Sequence, residues 1–290
     1  MAPRGIITNS SSTCFRDCPR KYLYRYERGL KPVNRRESPA LLVGTAVHSA
    51  LDILHTYEGA FPVALMREDY GLTDNDLVIV SAMLTSYGQR MEIPKGVCET
   101  EFNEYLINPV TGRTSRSFRY CGKVDMISGS DLWEHKTASQ ITGSYLDKLW
   151  TDSQIIGYVW AMRGKQHIGR VVYNVLQKPR LRRKDTEAIE TYAKRVAKWY
   201  LEKNRFHRER IIVGGQMVAT WQYDLWAVTQ EILRARKVGF RRNTARCFDW
   251  GRACAYLPVC QAVNPEMVLE IEYEETERHP ELSEETKREK

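Results

Sequence analysis

The sequence predicts an α/β fold in which one helix, three strands, a second helix and a fourth strand follow one another. Alternating apolar and polar residues mark the three strands, at Val97 to Ile107, Arg119 to Ile127 and Leu132 to Thr137. A similar stretch from Arg170 to Gln177 gives the fourth strand. Apolar residues three or four positions apart mark the helices before and between them. We therefore expect a mixed sheet flanked by helices, with a helical accessory part after Pro179.

The helices follow in chain order. Polar residues at positions 9–12 can cap a helix that starts near Thr13, whose apolar stripe includes Cys18 and Tyr22. The next helix covers about residues 42–57 and carries His48. A helical insertion over about residues 60–95 precedes the first strand. A helix over about residues 144–162 separates the third and fourth strands, and two further helices cover about 185–203 and 223–239.

Charge is distributed unevenly along the 290 residues. The net charge is +8, but the segment from Glu266 onward holds ten acidic and four basic residues. The first 265 residues therefore carry +14, which suits a polyanionic partner such as nucleic acid and would also be found in a merely basic soluble protein. Because there is neither an apolar run of membrane-spanning length nor a signal-peptide core, we expect a cytoplasmic protein with no membrane partner.

The hairpin formed by the second and third strands brings two carboxylates and a lysine together. Side chains alternate along a strand, so Glu134 and Lys136 share one face while His135 points to the other. The turn at 128–131 can place Asp125 close to the same face. Two carboxylates beside one amine can form a Mg²⁺ or Mn²⁺ site for phosphodiester hydrolysis. Such a pattern also occurs by chance on solvated strand faces.

Three short motifs and one histidine resemble a known family. GKVD at 122–125, EHKT at 134–137 and QIIGY at 154–158 match, in order, the motifs of the RecB-type branch of the PD-(D/E)XK nucleases. That branch also has an upstream helical histidine, which His48 matches. The resemblance implies an αβββαβ nuclease core.

The resemblance also implies roles for the matching residues. Asp125, Glu134, His48 and the backbone carbonyl of His135 would hold the divalent metal. Strand alternation places Glu99 and Glu101 of the first strand on one face, and one of them, with Glu101 preferred, would assist. Lys136 would position or help to deprotonate the attacking water, and Gln154 and Tyr158 would orient Lys136 or the DNA backbone. In the first helix, interleaved Arg and Tyr side chains could bind a nucleic-acid strand by charge and stacking, with Arg20, Lys21 and Tyr22 as the DNA contacts. An ordinary amphipathic helix explains the same Arg/Tyr pattern.

Seven cysteines give a second signal. Cys247, Cys254 and Cys260 are spaced C-x6-C-x5-C, and Cys18 can supply a fourth thiolate, with Cys14 as the alternative. Four thiolates can hold zinc or an iron–sulfur cluster, and the absence of close cysteine pairs favours the cluster. The arrangement resembles AddB-type and CRISPR-adaptation nucleases, which implies a 4Fe–4S cluster joining the N- and C-terminal regions.

These expectations define four regions: residues 1–40 with the first cluster cysteine, a nuclease core over 41–180, a helical and iron–sulfur region over 181–265, and an acidic, flexible tail over 266–290. The expected function is a Mg²⁺- or Mn²⁺-dependent deoxyribonuclease. It would act as a single-strand-preferring exonuclease on DNA ends in recombination, repair or phage DNA processing. The alternative is a DNA-binding or scaffold subunit of a helicase–nuclease or CRISPR adaptation complex. Because the chain lacks a GxxxxGK[ST] motif, any helicase motor would be a separate partner.

Overall fold

A mixed sheet forms the centre of the chain in the computed structural model, which describes residues 5–34, 38–57, 69–249 and 251–288. Its strands are β1 (Gly5–Ile7), β3 (Val97–Ile107), β4 (Thr114–Ser128), β5 (Asp131–Ala138), β6 (Arg170–Gln177) and β7 (Phe206–Ile211). They are hydrogen-bonded in the order β1–β4–β5–β6–β7, and β3 also pairs with β4. The predicted order of three strands, helix and strand is present. The edge strands β1 and β7 are additions that the sequence patterns did not reveal.

Strand β4 is divided between two neighbours along one of its edges. Along the other edge it pairs antiparallel with β3 over nearly its whole length. Residues near its beginning, Phe118 to Tyr120, also pair in parallel with β1. Only its last three residues, Met126 to Ser128, pair with β5, through a tight turn in which Gly129 takes a φ of 59° that favours glycine. β1 and β5 therefore share one edge of β4 and leave a gap between them.

Helices cover both faces of the sheet. On one face, α1 (Asn9–Asp17), α6 (Ser153–Met162) and α8 (Gly215–Val238) pack on the side chains of β4–β6 that include Leu132 and Tyr173. On the other face, α3 (Pro39–Thr56), α4 (Asp74–Arg90) and α7 (Ile189–Glu202) form a second apolar cluster with Leu176 and Phe206. Within the described ranges, no helix is both long and apolar enough to traverse a bilayer.

The helix predicted over 144–162 is two helices in the structure. α5 (Gly143–Leu149) ends before a turn, and α6 begins at Ser153 with the Asp152 side chain accepting the Gln154 backbone N–H at 2.9 Å. Capping at Asp152 starts a separate second helix at Ser153. At Gly157 the helix approaches β4 and α8 so closely that an added Cβ would lie 2.6 Å from the Trp221 ring.

The insertion predicted over 60–95 falls partly outside the described residues, and α4 is its described helix. The N-terminal helix continues after α1 as α2 (Pro19–Tyr22) and a π-helical turn (Leu23–Glu27).

The acidic C-terminal segment was expected to be flexible, and the structure instead shows it folded onto the rest of the chain. α10 (Pro265–Glu272) leads into β10 (Tyr273–Glu275), which pairs antiparallel with β2 (Leu30–Pro32). α11 (Glu284–Lys287) lies against β3 and β4, where the Arg119 guanidinium donates to the carbonyls of Lys287 and Arg288 at 2.8 and 2.7 Å. A count of charges could not show that backbone carbonyls of the tail would satisfy a buried arginine.

Candidate active site

The candidate site lies where β4 and β5 separate. Met126 and Trp133 form the last pair of their ladder on the side of the site. Beyond this pair, the His135 backbone N–H donates to the Asp125 Oδ2 at 2.7 Å. A side-chain carboxylate thus replaces the carbonyl that would have continued the ladder, because a buried N–H needs an acceptor. The fork keeps Asp125 and Glu134 out of the regular strand pairing between β4 and β5.

Strand alternation sends neighbouring side chains of β5 to opposite faces. Lys136 Nζ donates to Glu134 Oε1 at 2.5 Å and to Gln154 Oε1 at 3.1 Å. The Gln154 amide in turn donates to Tyr158 Oη at 2.9 Å. His135 points the other way, where its ring stacks on the His55 ring at 5.2 Å. The structure therefore gathers Glu134, Lys136, Gln154 and Tyr158 in one hydrogen-bonded chain.

The two carboxyl groups of the fork have opposite electrostatic environments. Glu134 is 1% exposed, and burial together with the charge of Asp125 raises its pKa above the usual range despite the nearby Lys136. Burial also acts to raise the pKa of Asp125, but the interactions with His48 and the His135 N–H outweigh it and hold that pKa below the usual range. Among the described atoms, Glu134 Oε2 is buried without a hydrogen-bond partner.

His48 approaches this fork from α3. Its Nδ1 lies 3.6 Å from Asp125 Oδ2. Burial lowers the pKa of His48, but the hydrogen bond and charge of Asp125 outweigh burial and raise it. One turn further along α3, Asp52 has a pKa raised to about 6 by burial and by Asp125. His48 and Asp52 consequently face the same fork, as residues four apart on a helix should.

A cleft of about 790 Å³ opens beside the fork. Asp125, Lys136 and His48 line it, together with Glu99 and three charged residues to which no role had been assigned: Asp52, Lys123 and Lys178. Lys178 could have been noticed because it immediately follows the fourth predicted strand. Asp52 could have been noticed because it follows His48 by four residues.

The structure corrects the choice of Glu101 as an assisting metal ligand. The Glu101 carboxylate accepts the Ser283 backbone N–H at 3.0 Å and the Ser283 hydroxyl at 2.6 Å, so it anchors the C-terminal segment. Glu99 is the glutamate of β3 that lines the cleft, where it pairs with Lys123. Its φ of 54° is in the left-handed region and interrupts the alternation of β3. The expectation failed because it assumed that Glu99 and Glu101 share one face.

The N-terminal DNA contacts predicted from the Arg/Tyr pattern are used differently. Tyr22 is 3% exposed within the main apolar cluster, so its ring is not available to stack on a base. Arg20 Nε donates to the Phe240 carbonyl at 2.8 Å. Lys21 remains half-buried at the surface. The structural explanation of the pattern therefore accounts for Arg20 and Tyr22.

The predicted cluster cysteines come from distant parts of the chain to one region. Cys247 and Cys254 flank a small hairpin, β8 (Phe248–Asp249) with β9 (Arg252–Ala253), and the Cys254 N–H donates to the Cys247 carbonyl at 2.7 Å. The Asn243 N–H donates to Cys18 Sγ at 3.4 Å, and Cys247 Sγ lies 3.9 Å from the Asn243 carbonyl. Cys260, in α9 (Leu257–Gln261), has a pKa raised by burial and by the neighbouring thiols of Cys254 and Cys18.

Cys14, the alternative fourth cysteine, has a different environment. It is 8% exposed and belongs to the main apolar cluster, and burial raises its pKa to about 12. A thiol buried in an apolar cluster packs as a small hydrophobic side chain. Cys18, in contrast, is half-buried and contacts Asn243.

Two sets of side chains are candidate ligands: the carboxylates at the fork of β4 and β5, for a divalent ion, and the four cysteine thiols, for an iron–sulfur cluster. Across the described ranges, no three or more His, Cys, Asp or Glu side chains are arranged to hold one ion as they stand. At the fork, however, the buried and unpartnered Glu134 Oε2 beside Asp125 is a hard oxygen donor of the type that Mg²⁺ binds. The fork residues therefore fit a divalent ion. The thiols of Cys18, Cys247, Cys254 and Cys260 are of the right type for a thiolate-ligated group and lie in one region, but they do not surround a common point among the described residues.

A mixed sheet with two carboxylates and a lysine at a forked hairpin defines a class of metal-dependent nucleases. The sequence matches the family model described as the PD-(D/E)XK nuclease superfamily over residues 7–261, so the chain belongs to that superfamily. Its members use divalent metals such as Mg²⁺. No curated protein sequence matches this chain. The RecB-type assignment remains a prediction.

Solved structures resemble the chain at low sequence identity. One is described as a candidate exonuclease from Eubacterium rectale, with 13% identity, a TM-score of 0.48, and coverage of 86% of this chain and 87% of that chain. Another is a phage-related exonuclease from Haemophilus somnus 129PT, with 10% identity, a TM-score of 0.37, and coverage of 66% and 94%. A third, SSO0001, has 12% identity, a TM-score of 0.41, and coverage of 80% and 78%. The family assignment rests on the family model alone.

Proposed function

We propose that this protein is a Mg²⁺- or Mn²⁺-dependent deoxyribonuclease whose reaction takes place at the fork of β4 and β5. The observation that carries the proposal is the convergence of Asp125, Glu134 and Lys136 there, with a buried carboxylate oxygen that has no hydrogen-bond partner among the described residues. An oxygen in that condition costs folding free energy unless something binds it. A purely structural ion pair would not require such an unpaired oxygen.

Asp125, Glu134, His48 and the His135 carbonyl would hold the divalent ion. When bound, the ion supplies charge neutralisation at the phosphate and lowers the pKa of a water molecule. His48 serves as a ligand only in its neutral form, so it releases the proton that its contact with Asp125 favours. Glu134 serves as a ligand in its ionised form, although burial disfavours that form in the protein alone.

Lys136 is positioned to act on the attacking water or on the developing charge. Although burial lowers its pKa, the charge of Glu134 outweighs burial and raises it, so Lys136 is an ammonium at neutral pH. It therefore stabilises negative charge and orients the water more readily than it removes a proton. Gln154 directs one acceptor to this ammonium, and Tyr158 in turn fixes the Gln154 amide.

The substrate we propose is a DNA end, with single strands preferred. The basic body of the chain and the lysines that line the cleft support a polyanionic substrate. The preference for single-stranded ends comes from the resemblance to RecB-type nucleases. Cleavage of linear single-stranded, linear duplex and circular single-stranded DNA tests this proposal, because such an exonuclease degrades the linear single strand faster than the linear duplex and leaves the circle intact.

We further propose that Cys18, Cys247, Cys254 and Cys260 bind a 4Fe–4S cluster with a mainly structural role. Support comes from their proximity around Asn243 and from the N–H···S contact to Cys18, which is typical of cluster surroundings. Such a group would cross-link residues 229 positions apart and stabilise the fold by about 5.5 kcal/mol on a chain-entropy argument.

Anaerobic purification tests both proposals in one sample. We expect visible absorption with iron and sulfide in equal amounts, and Mg²⁺- or Mn²⁺-dependent release of nucleotides from end-labelled DNA. Zinc without iron would overturn the cluster and leave the nuclease intact. DNA binding without metal-dependent cleavage would overturn the nuclease and favour a binding or scaffold subunit.

A further inference from the structure

A basic loop leaves the cleft at the end of β6. It comprises residues 178–187, KPRLRRKDTE, with five basic and two acidic side chains. Lys178 lines the cleft together with Lys136, and its Nζ donates to the Ala40 carbonyl at 3.0 Å. An ammonium has three donors, so Lys178 retains others for a ligand.

The backbone of the basic loop is held in place by α7. Tyr192 Oη donates to the Leu181 carbonyl at 3.1 Å, and Arg195 Nη2 donates to the Arg182 carbonyl at 2.8 Å. Pro179 is buried at the start of the loop. A loop whose backbone carbonyls are already bound loses less conformational entropy when it binds a ligand.

The Glu187 carboxylate pairs with an arginine of α7 and therefore does not neutralise the exposed arginines of the basic loop. Glu187 accepts both Arg195 Nε and Nη2 at 2.8 Å, a bidentate pair with a helix residue. Arg180 and Arg182 are exposed, and neither side chain has a hydrogen bond or ion pair with any residue in the described ranges. Two guanidinium groups thus remain free within four residues of the cleft.

We propose that Arg180 and Arg182 bind the phosphate backbone of nucleic acid as it enters or leaves the cleft, with Lys178 at the rim. Guanidinium groups form bidentate contacts with phosphate oxygens. The loop contains no aromatic residue, so its contacts are to phosphates and do not depend on base sequence. The inference rests on the proposed nuclease function and specifies where that function holds its substrate.

The experiment compares the double variant Arg180→Ala/Arg182→Ala with the parent protein and with a matched control. The control, Arg234→Ala/Lys237→Ala, removes the same charge from exposed positions of α8 on the opposite face of the sheet. Binding of a labelled single-stranded oligonucleotide is measured in EDTA over a series of salt concentrations. Steady-state cleavage is measured with Mg²⁺, and melting temperatures verify that every variant folds.

Loss of two phosphate contacts should reduce the slope of log K against log salt by about 1.4, because each contact on single-stranded DNA contributes about 0.7. KM should rise about tenfold or more, with kcat unchanged, since the contacts lie outside the reacting atoms. The control should keep the slope of the parent, and Arg180→Lys/Arg182→Lys should restore most of it by restoring the charge.

Equal slopes for the loop variant and the parent, or equal losses in the loop variant and the control, would overturn the inference. A fall in kcat with unchanged KM would also overturn it. A parent protein that binds and cleaves DNA while the loop variant behaves identically refutes only the inference. A parent that does not bind DNA at all refutes the proposed function as well.

Discussion

Substituting Glu134 by glutamine should stabilise the metal-free protein while abolishing its cleavage of DNA. Glutamine has nearly the same shape and keeps an oxygen for Lys136, but it removes a buried charge next to Asp125. The folded-state pKa of Glu134 lies above its unfolded value. Its carboxyl therefore favours folding at pH below the unfolded pKa, and this contribution is lost as the pH rises through the folded pKa.

The magnitude follows from the surroundings of Glu134. Each unit of pKa difference corresponds to about 1.4 kcal/mol. Part of this gain is lost because Lys136 exchanges an ionic partner for a neutral one, so at about pH 8 we expect a net stabilisation of about 1 kcal/mol. For a chain of 290 residues, that shifts the melting temperature upward by about 1.5–2 °C.

Metal should reverse the ranking of the two proteins. Magnesium at about ten times its dissociation constant stabilises the protein that binds it by about 1.4 kcal/mol. Thermal unfolding of parent and Glu134→Gln, in EDTA and in Mg²⁺, should show a metal-induced shift in the parent only. A variant that is less stable than the parent in EDTA, or that gains as much from Mg²⁺, would refute this account of the buried carboxylate.

Three further predictions concern separate parts of the chain. Gly157→Ala should destabilise the protein by about 1–3 kcal/mol in denaturant unfolding because its methyl group would overlap two buried aromatic side chains, whereas Gly164→Ala, with open space around it, should not. Lys136→Ala should lower the cleavage rate by about 10²-fold or more while binding of labelled DNA in EDTA stays within about threefold. Cys260→Ser should lose iron and melt at a lower temperature than the parent under anaerobic conditions. Cys98→Ser should keep the iron content and the melting temperature of the parent.

Each of these predictions has a contrary outcome. Equal stability of Gly157→Ala and Gly164→Ala would mean that α6 can move away from its neighbours without a cost in folding free energy. Full cleavage by the lysine variant would remove this ammonium from the reaction. Retention of iron by the Cys260 variant would exclude that thiol from the cluster.

Strand periodicity predicted the centre of the sheet well, because each of those strands buries one face. β3 and β6 have the bounds that the alternation indicated, and the hairpin of β4 and β5 lies where expected. β1 has only three residues, too few for a pattern to be distinguished. The break between α5 and α6 depends on capping by Asp152, which the apolar spacing alone does not reveal.

The side chains of the candidate site were predictable where short-range rules decide their direction. Glu134 and Lys136 share a face because they are two residues apart on a strand. Glu99 was ranked below Glu101 because the rule places both on one face, whereas the left-handed backbone of Glu99 departs from it. Glu101 was misassigned because its partner Ser283 is 182 residues away, and no local pattern contains information about such contacts.

The most direct measurement is the metal-dependent cleavage of end-labelled single-stranded DNA by the parent, Glu134→Gln and Lys136→Ala proteins at equal DNA occupancy. Our account predicts that the parent releases nucleotides only when Mg²⁺ or Mn²⁺ is supplied, and that both variants bind the DNA but leave it intact. Comparable cleavage by either variant, or a parent that holds DNA without cutting it in either metal, would contradict the placement of the reaction at the fork.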